Sequence, residues 1–307
     1  MKIYTHAGIF HGDEVFAAAG VRVMCPDVEV RRVRSLEEAG PDDLVVDIGG
    51  VYDGSTRFDH HQKEGTPPPR ENGCPRSSFG SLWGSEWGRD IVGSVLSKYW
   101  EDAPFGAVDE VRTRVDKSLV QGVDALDAGA TTLLPSEGEV CPMSVSHMIS
   151  SFNPGWDEDQ SQGDVSFEKA VGLAKDILLR AIVREISVVK AKDKVLEART
   201  ADAGRVLILE EYVPWEEHIF ARPQQEHLLY VVFPSLRGGW MVQQVPEKPG
   251  SFKGRKPLPE SWAGLQDDAF VASCGIPDAV FCHPGRFICG AKSRHRALDL
   301  AASAIDA

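Results

Sequence analysis

Residues 42–50 read Asp-Asp-Leu-Val-Val-Asp-Ile-Gly-Gly. A short, unbroken apolar run stopped by two glycines has the pattern of a strand buried on both faces, as in a parallel sheet. Working outward, 28–33 (VEVRRV) alternates like a strand, and 2–5 reads as a first strand ending at His6. Between them, 13–24 places apolar residues at 15, 16, 19, 23 and 24, the stripe of a helix. Asp13 and Glu14 suit that helix's positive N-terminus, and Glu14 is read as no more than that. Strand, helix, strand, loop and strand within the first fifty residues predict an open α/β domain with a mostly parallel sheet. Functional residues in such sheets gather at the carboxyl ends of strands, so His6 and Asp47 should converge on one edge.

Further along, 63–78 is rich in Pro, Gly and polar residues and reads as a loop, while 90–100 and 108–127 look helical. An acidic break at 151–165 precedes the longest helical pattern, 166–199, with Ser166 as its N-cap. Its apolar residues Phe167, Val171, Ala174, Leu178, Ile182 and Ile186 share one face, suiting a helix that bridges two domains. From 205 the texture is β-rich, closed by a helix over 293–306. The expected organisation is a first domain over 1–160, a linking helix over 161–200 and a smaller α/β domain over 201–307.

At 307 residues and 42% hydrophobic, the chain can bury two cores. Mean hydropathy is -0.21 and no apolar run approaches the ~18–20 residues of a membrane span. The N-terminus lacks the pattern of a secretion signal, so a cytoplasmic protein with no membrane partner is expected. Cysteines at 25, 74, 141, 274, 282 and 289 form no CxxC pair, which disfavours a zinc ribbon or a disulfide framework. The net charge of -13 leaves no global basic face for nucleic acid. A phosphate-handling protein of this charge needs metal ions or local basic clusters.

The second feature is RFDHHQ, residues 57–62. Adjacent histidines beside an aspartate are uncommon, but alone they would read as a surface pair or as one histidine capping a loop. Here His6, His11, Asp13, Asp47, Asp59, His60 and His61 all fall in the first 61 residues. So many carboxylates and imidazoles cannot share a buried site without a neutralising partner, and metal ions are the simplest one. A nitrogen and oxygen set without thiolate suits Mn²⁺, Fe²⁺, Co²⁺ or Zn²⁺. The number suits two ions with surrounding partners, Asp47 bridging them from a rigid strand end. Asp124 and Asp127, one helical turn apart, both offer a further ligand, though alone they read as helix-surface acids.

These residues resemble the DHH phosphoesterase superfamily: early His and Asp, an Asp ending an apolar strand, an Asp-His-His triplet and a later Asp. THAGIFHGDEVFA (5–17), VVDIGGVYD (45–53), SSFGSLW (77–83), SSFNPGW (150–156), RKPLPESWAGL (255–265) and FCHPGRFICGAKSRHRAL (281–298) are similar to successive motifs of the Myg family. Those are the UPF0160, or melanocyte-proliferating-gene, proteins, and the likeness covers nearly the whole chain. The resemblance implies a DHH-like catalytic domain, a substrate-binding C-terminal domain and a metal-dependent phosphodiesterase, a 3'-to-5' exonuclease on single-stranded RNA or DNA. Two divalent ions, Mn²⁺ foremost, are implied. His6, His11 and Asp47 would hold one, and Asp13, Asp47, His60 and Asp124 the other, with Asp127 competing for the last place. His11 departs from the superfamily, where an Asp is usual. His61 would sit at the scissile phosphate as donor or general acid, and Asp59 would orient a neighbouring ligand.

In the second half, Gly290, Lys292, Arg294 and Arg296 surround an expected turn into a helix, which could offer backbone N–H groups to an anion. Lys253, Arg255 and Lys256 form another basic cluster, and His283 lies in the same motif as Gly290. The resemblance implies substrate binding by such a glycine-rich turn. Trp215, Trp240 and Trp262 could stack bases or fill a core. A small phosphorylated metabolite as substrate, or a non-catalytic metal-binding regulator, stays open, as does a dimer.

Overall fold

A computed structural model describes residues 1–130 and 143–307, which leaves Cys141 outside the described residues. The chain forms two compact units, Met1–Val189 and Lys190–Ala307. The first is built on four parallel strands: β1 (Ile3–His6), β2 (Val30–Val33), β3 (Leu44–Val46) and β4 (Arg57–Phe58). Their order is β2-β1-β3-β4. The chain leaves β1 through helix α1 (Gly12–Met24) to reach β2 on one side, then returns to β3 on the other. Neighbouring loops diverge at that reversal, and the carboxyl ends of β1 and β3 flank the opening.

Leu44, Val45 and Val46 are all buried, the pattern that their unbroken apolar run predicts. Helix α1 is buried continuously from Gly12 to Val21, and the small residues Ala17, Ala18 and Ala19 let its backbone sit close to its neighbours. Around it pack α2 (Ser78–Gly84), α3 (Glu86–Tyr99), α4 (Ala107–Val115), α5 (Gln121–Asp127) and α6 (Val145–Ser150). One wide turn, Asp116–Val120, joins α4 to α5, so the expected 108–127 helix is a single run with a bulge. Helix α7 spans Gly163–Leu196 and places Ser166 inside its first turns rather than at its cap. Its apolar face, from Phe167 to Ile186, joins the core of the first unit.

The second unit carries a six-stranded mixed sheet of β5 (Arg199–Ala201), β6 (Val206–Ile208), β7 (Tyr230–Pro234), β8 (Trp240–Gln244), β9 (Ala279–Cys282) and β10 (Ile288–Ala291). Its order is β5-β6-β7-β8-β10-β9, with β6 and β7 parallel and the other pairs antiparallel. Strand period dictates its two cores. Tyr230 and Val232 pack with Leu300, Ala301 and Ala304 of α9 (Arg294–Asp306), while Val231 and Phe233 pack with Trp215 and Ile219. Helix α8 (Asp267–Cys274) adds Phe270 beside Trp262. Trp215 and Trp262 are thus core residues.

Candidate metal centre

His6 ends β1 and Asp47 follows β3, so the sheet delivers both to one edge, as the strand pattern predicts. Asp47 Oδ2 lies 3.3 Å from His6 Nε2, and its Oδ1 lies 3.3 Å from His60 Nε2. One carboxylate therefore faces two imidazoles. Asp47 adopts φ of 60°, a left-handed conformation that costs most residues energy and is tolerated best by Asn and Asp. Such strain persists only where surrounding structure fixes it, and it aims both carboxylate oxygens at the site.

Three groups of ligand atoms form, each within 4.8 Å internally: His6, His11, Glu14 and Asp47; Asp47, His60 and His61; and His11, Asp13 and Asp127. His60 Nε2 also lies 3.2 Å from Asp127 Oδ2 and 3.8 Å from Asp13 Oδ2. It is buried without a well-aligned hydrogen bond, and so is Asp13 Oδ1. Buried polar atoms left without a partner are costly unless something bridges them.

Charge gives the same reading. Asp13, Glu14 and Asp47 are all buried. Burial, then the charges of Asp47, Glu14 and Asp127, push the Asp13 carboxyl well above the usual range. Asp47 is buried too, yet the His6 and His60 imidazoles hold it ionised, below the usual range. Asp47 and Glu14 hold the His6 proton up to about 10. Burial pulls the His60 proton off, but Asp127 and Asp47 outweigh it and raise that group to about 10 as well. A field that retains protons this firmly attracts any cation, and the mixed imidazole and carboxylate donors fit a transition-metal ion.

His61 differs from the rest. Its side chain is 63% exposed, and Nδ1 sits 2.8 Å from Asp59 Oδ1. Asp59 is itself buried and accepts amide hydrogens from Gly50, His60 and His61 at 2.6, 2.7 and 3.1 Å. Against the effect of burial, the Gly50 and His61 amides and the His61 ring hold its carboxyl below the usual range. Asp59 thus fixes the turn that carries both histidines. His11, His60, His61, Asp127, Ser146 and His147 line a cleft of about 460 Å³.

Asp124 is not brought to this cluster. Its Oδ1 accepts from Ser77 Oγ at 2.6 Å and the Gly80 amide at 3.0 Å, and its Oδ2 lies 2.7 Å from Arg70 Nη1. Asp127, one turn further along α5, reaches the cluster instead, 3.2 Å from His60 Nε2. Glu14 is also more than a helix acid. It is fully buried, lies 3.1 Å from His6 Nε2 and accepts the His11 amide at 2.9 Å. Its spacing of three from His11, on the first turn after the loop, was the available signal.

The second unit departs further from expectation. Gly290 lies within β10, paired on both sides, so it is not a turn and presents no free anion nest. A side chain there would meet Phe281 at 2.9 Å, which explains the glycine by packing. Arg255 donates to the carbonyls of Gln225 and Leu228, and Lys256 donates to that of Ile305 at 2.6 Å. Arg255 ties loop to loop, and Lys256 ties its loop to the end of α9. Arg294 pairs with Glu210 at 2.7 Å and lies over Trp240, and Arg296 pairs with Asp299. Lys253 pairs with Glu247. Lys292 and His283 are exposed.

Residues 2–305 match the family model MYG1_exonuc, described as an uncharacterised protein family (UPF0160). The chain belongs to the MYG1 family. A MYG1 protein of Saccharomyces cerevisiae is 30% identical over 98% of this chain and 94% of its own length. Proteins named MYG1 exonuclease from Mus musculus and Homo sapiens are 31% and 30% identical over 98% of this chain, and 83% and 84% of theirs. No solved structure matches. Among the described residues of this MYG1 chain, no helix is long and apolar enough to cross a membrane.

Proposed function

We propose that this MYG1 chain is a metal-dependent phosphodiesterase acting as a 3'-to-5' exonuclease on single-stranded RNA. The observation that carries the reading is Asp47, strained and buried, with one oxygen toward His6 and the other toward His60. The exonuclease names of the mouse and human relatives support it. His6, His11, Glu14 and Asp47 would hold one divalent ion, and Asp13, Asp47, His60 and Asp127 a second, with Mn²⁺ the first choice for these donors. Such ions, when bound, supply a water acidic enough to attack and positive charge for the phosphoryl oxygens.

The remaining steps belong to the chain. His61, tied through Nδ1 to Asp59, keeps Nε2 for the substrate. Held by Asp59, it would donate a hydrogen bond to the phosphate and a proton to the departing oxygen. Glu14 holds the His11 amide and faces His6, fixing the loop between them. Lys292, Arg294 and His283 are proposed as substrate contacts on the second unit.

End-labelled single-stranded RNA and DNA, digested with and without chelator, test the proposal. Stepwise shortening of 5'-labelled RNA from its 3' end, stopped by chelation and restored by Mn²⁺, is expected. KM for the oligonucleotide should rise steeply with salt, through counterion release. A shallow salt response with turnover of small phosphoesters alone would favour a metabolite phosphoesterase, a reading that the net charge of -13 also suits. Metal-loaded protein inert on every phosphoester would leave a non-catalytic regulator.

A further inference from the structure

The stretch SSFGSLW, residues 77–83, supplies none of the ligands named above, yet it touches two of them. Ser78 is fully buried at the start of α2; its hydroxyl donates to Asp47 Oδ1 at 3.2 Å, and its amide donates to Asp13 Oδ2 at 3.3 Å. One residue therefore bonds two of the three carboxylates that crowd His60.

Behind Ser78 stands a second buried layer. Ser77 Oγ and the Gly80 amide converge on Asp124 Oδ1, whose other oxygen faces Arg70 Nη1. Arg70 uses its other two nitrogens on Asp116, at 2.8 and 2.6 Å. Gln121 donates to the same Asp116 at 2.9 Å. The fit around α2 is tight enough that a Cβ on Gly80 would lie 1.8 Å from Asp124 Oδ2. A buried ion pair of this kind stabilises a fold less than apolar side chains of the same volume commonly would. Its hydrogen bonds here go to the hydroxyl and amide on either side of Ser78.

We propose that Arg70, Asp124 and Ser77 are positioning residues for the metal centre, acting through Ser78, which sets the rotamers of Asp47 and Asp13. The inference rests on the metal-centre reading. Carboxylates that repel one another swing apart unless bonded, and a ligand free to swing pays that ordering cost when it binds an ion. Ser78 restrains one oxygen of each carboxylate.

Mn²⁺ titration of the full chain tests this, using wild type, Ser78→Ala, Ser77→Ala and the double variant. Denaturation of each metal-free form separates binding from folding. Ser78→Ala should weaken Mn²⁺ binding by about 10–100-fold, the usual range for partners of metal ligands. Ser77→Ala should weaken it too, and the double variant should be no weaker than Ser78→Ala within about twofold, the non-additivity of residues acting as a unit. Ser77→Ala removes one bond to Asp124 and leaves the Arg70–Asp124 pair intact. Unchanged Mn²⁺ affinity in Ser77→Ala, or effects that multiply in the double variant, would overturn the inference alone. Wild-type protein that binds no Mn²⁺ would overturn the metal-centre reading beneath it.

Discussion

Asp124 and Asp127 share one short helix and have opposite surroundings. Asp124 has its charge matched by Arg70 and its Oδ1 saturated, whereas Asp127 lies within 3.2 Å of His60 beside the cleft. Asp124→Asn should therefore cost about 1–3 kcal/mol of stability, because Arg70 keeps Asp116 but loses its second carboxylate inside a buried network. Asp127→Asn should leave the denaturation midpoint of the metal-free chain nearly unchanged and weaken Mn²⁺ binding. Chemical denaturation and metal titration of both variants check the pair. The two aspartates could not be told apart from sequence, since a spacing of three puts both on nearly one face and the Arg70 partner comes from a distant loop.

His6 and His60 also make metal uptake pH-dependent with a definite sign. Each holds its proton up to about 10 in the metal-free chain, so below that pH an incoming ion must displace it. Mn²⁺ affinity should rise with pH across the neutral range, by up to about tenfold per unit for each proton released. Calorimetry in buffers of differing ionisation enthalpy measures those protons. Uptake without proton release would contradict the assignment of both histidines.

Among the elements, β1, α1, β2 and β3 were legible because each has its own period or unbroken apolar run. Helix α2 was not. Its seven residues, SFGSLWG, mix serine and glycine without a stripe, and its position is fixed by Asp124 and by the packing of Phe79, Leu82 and Trp83. Gly80→Ala should destabilise the first unit by about 1–3 kcal/mol or more, as overpacking does. Gly172→Ala, in an exposed turn of α7 where a Cβ meets nothing within 4 Å, should instead stabilise by about 0.5–1 kcal/mol. Thermal or denaturant unfolding of the two variants distinguishes a glycine required by close approach from one that is not. The glycine at 290 was misread for the same physical reason. A glycine followed by basic residues and a helix suggests a turn, but the two neighbouring strands that claim Gly290 are visible only after folding.

At the scale of the molecule, the net charge of -13 and a centre of crowded carboxylates describe one strategy. Carboxylates crowd at the strand ends, where a cation could be held, and several basic side chains are committed within the fold: Arg255 and Lys256 tie backbone carbonyls, and Arg70 faces Asp124. Sequence alone reveals that basic residues cluster, but not which of them the fold consumes. The clustering of His6 and Asp47 was more legible, because a parallel sheet sends its strand ends to one edge whatever the details of packing. The most direct test of the central claim is metal content measured together with RNA hydrolysis, on wild type and Asp47→Asn. Wild type should hold about two Mn²⁺ ions per chain, with both the bound metal and the hydrolysis lost in Asp47→Asn while the chain stays folded. An Asp47→Asn protein that retains wild-type turnover would contradict it.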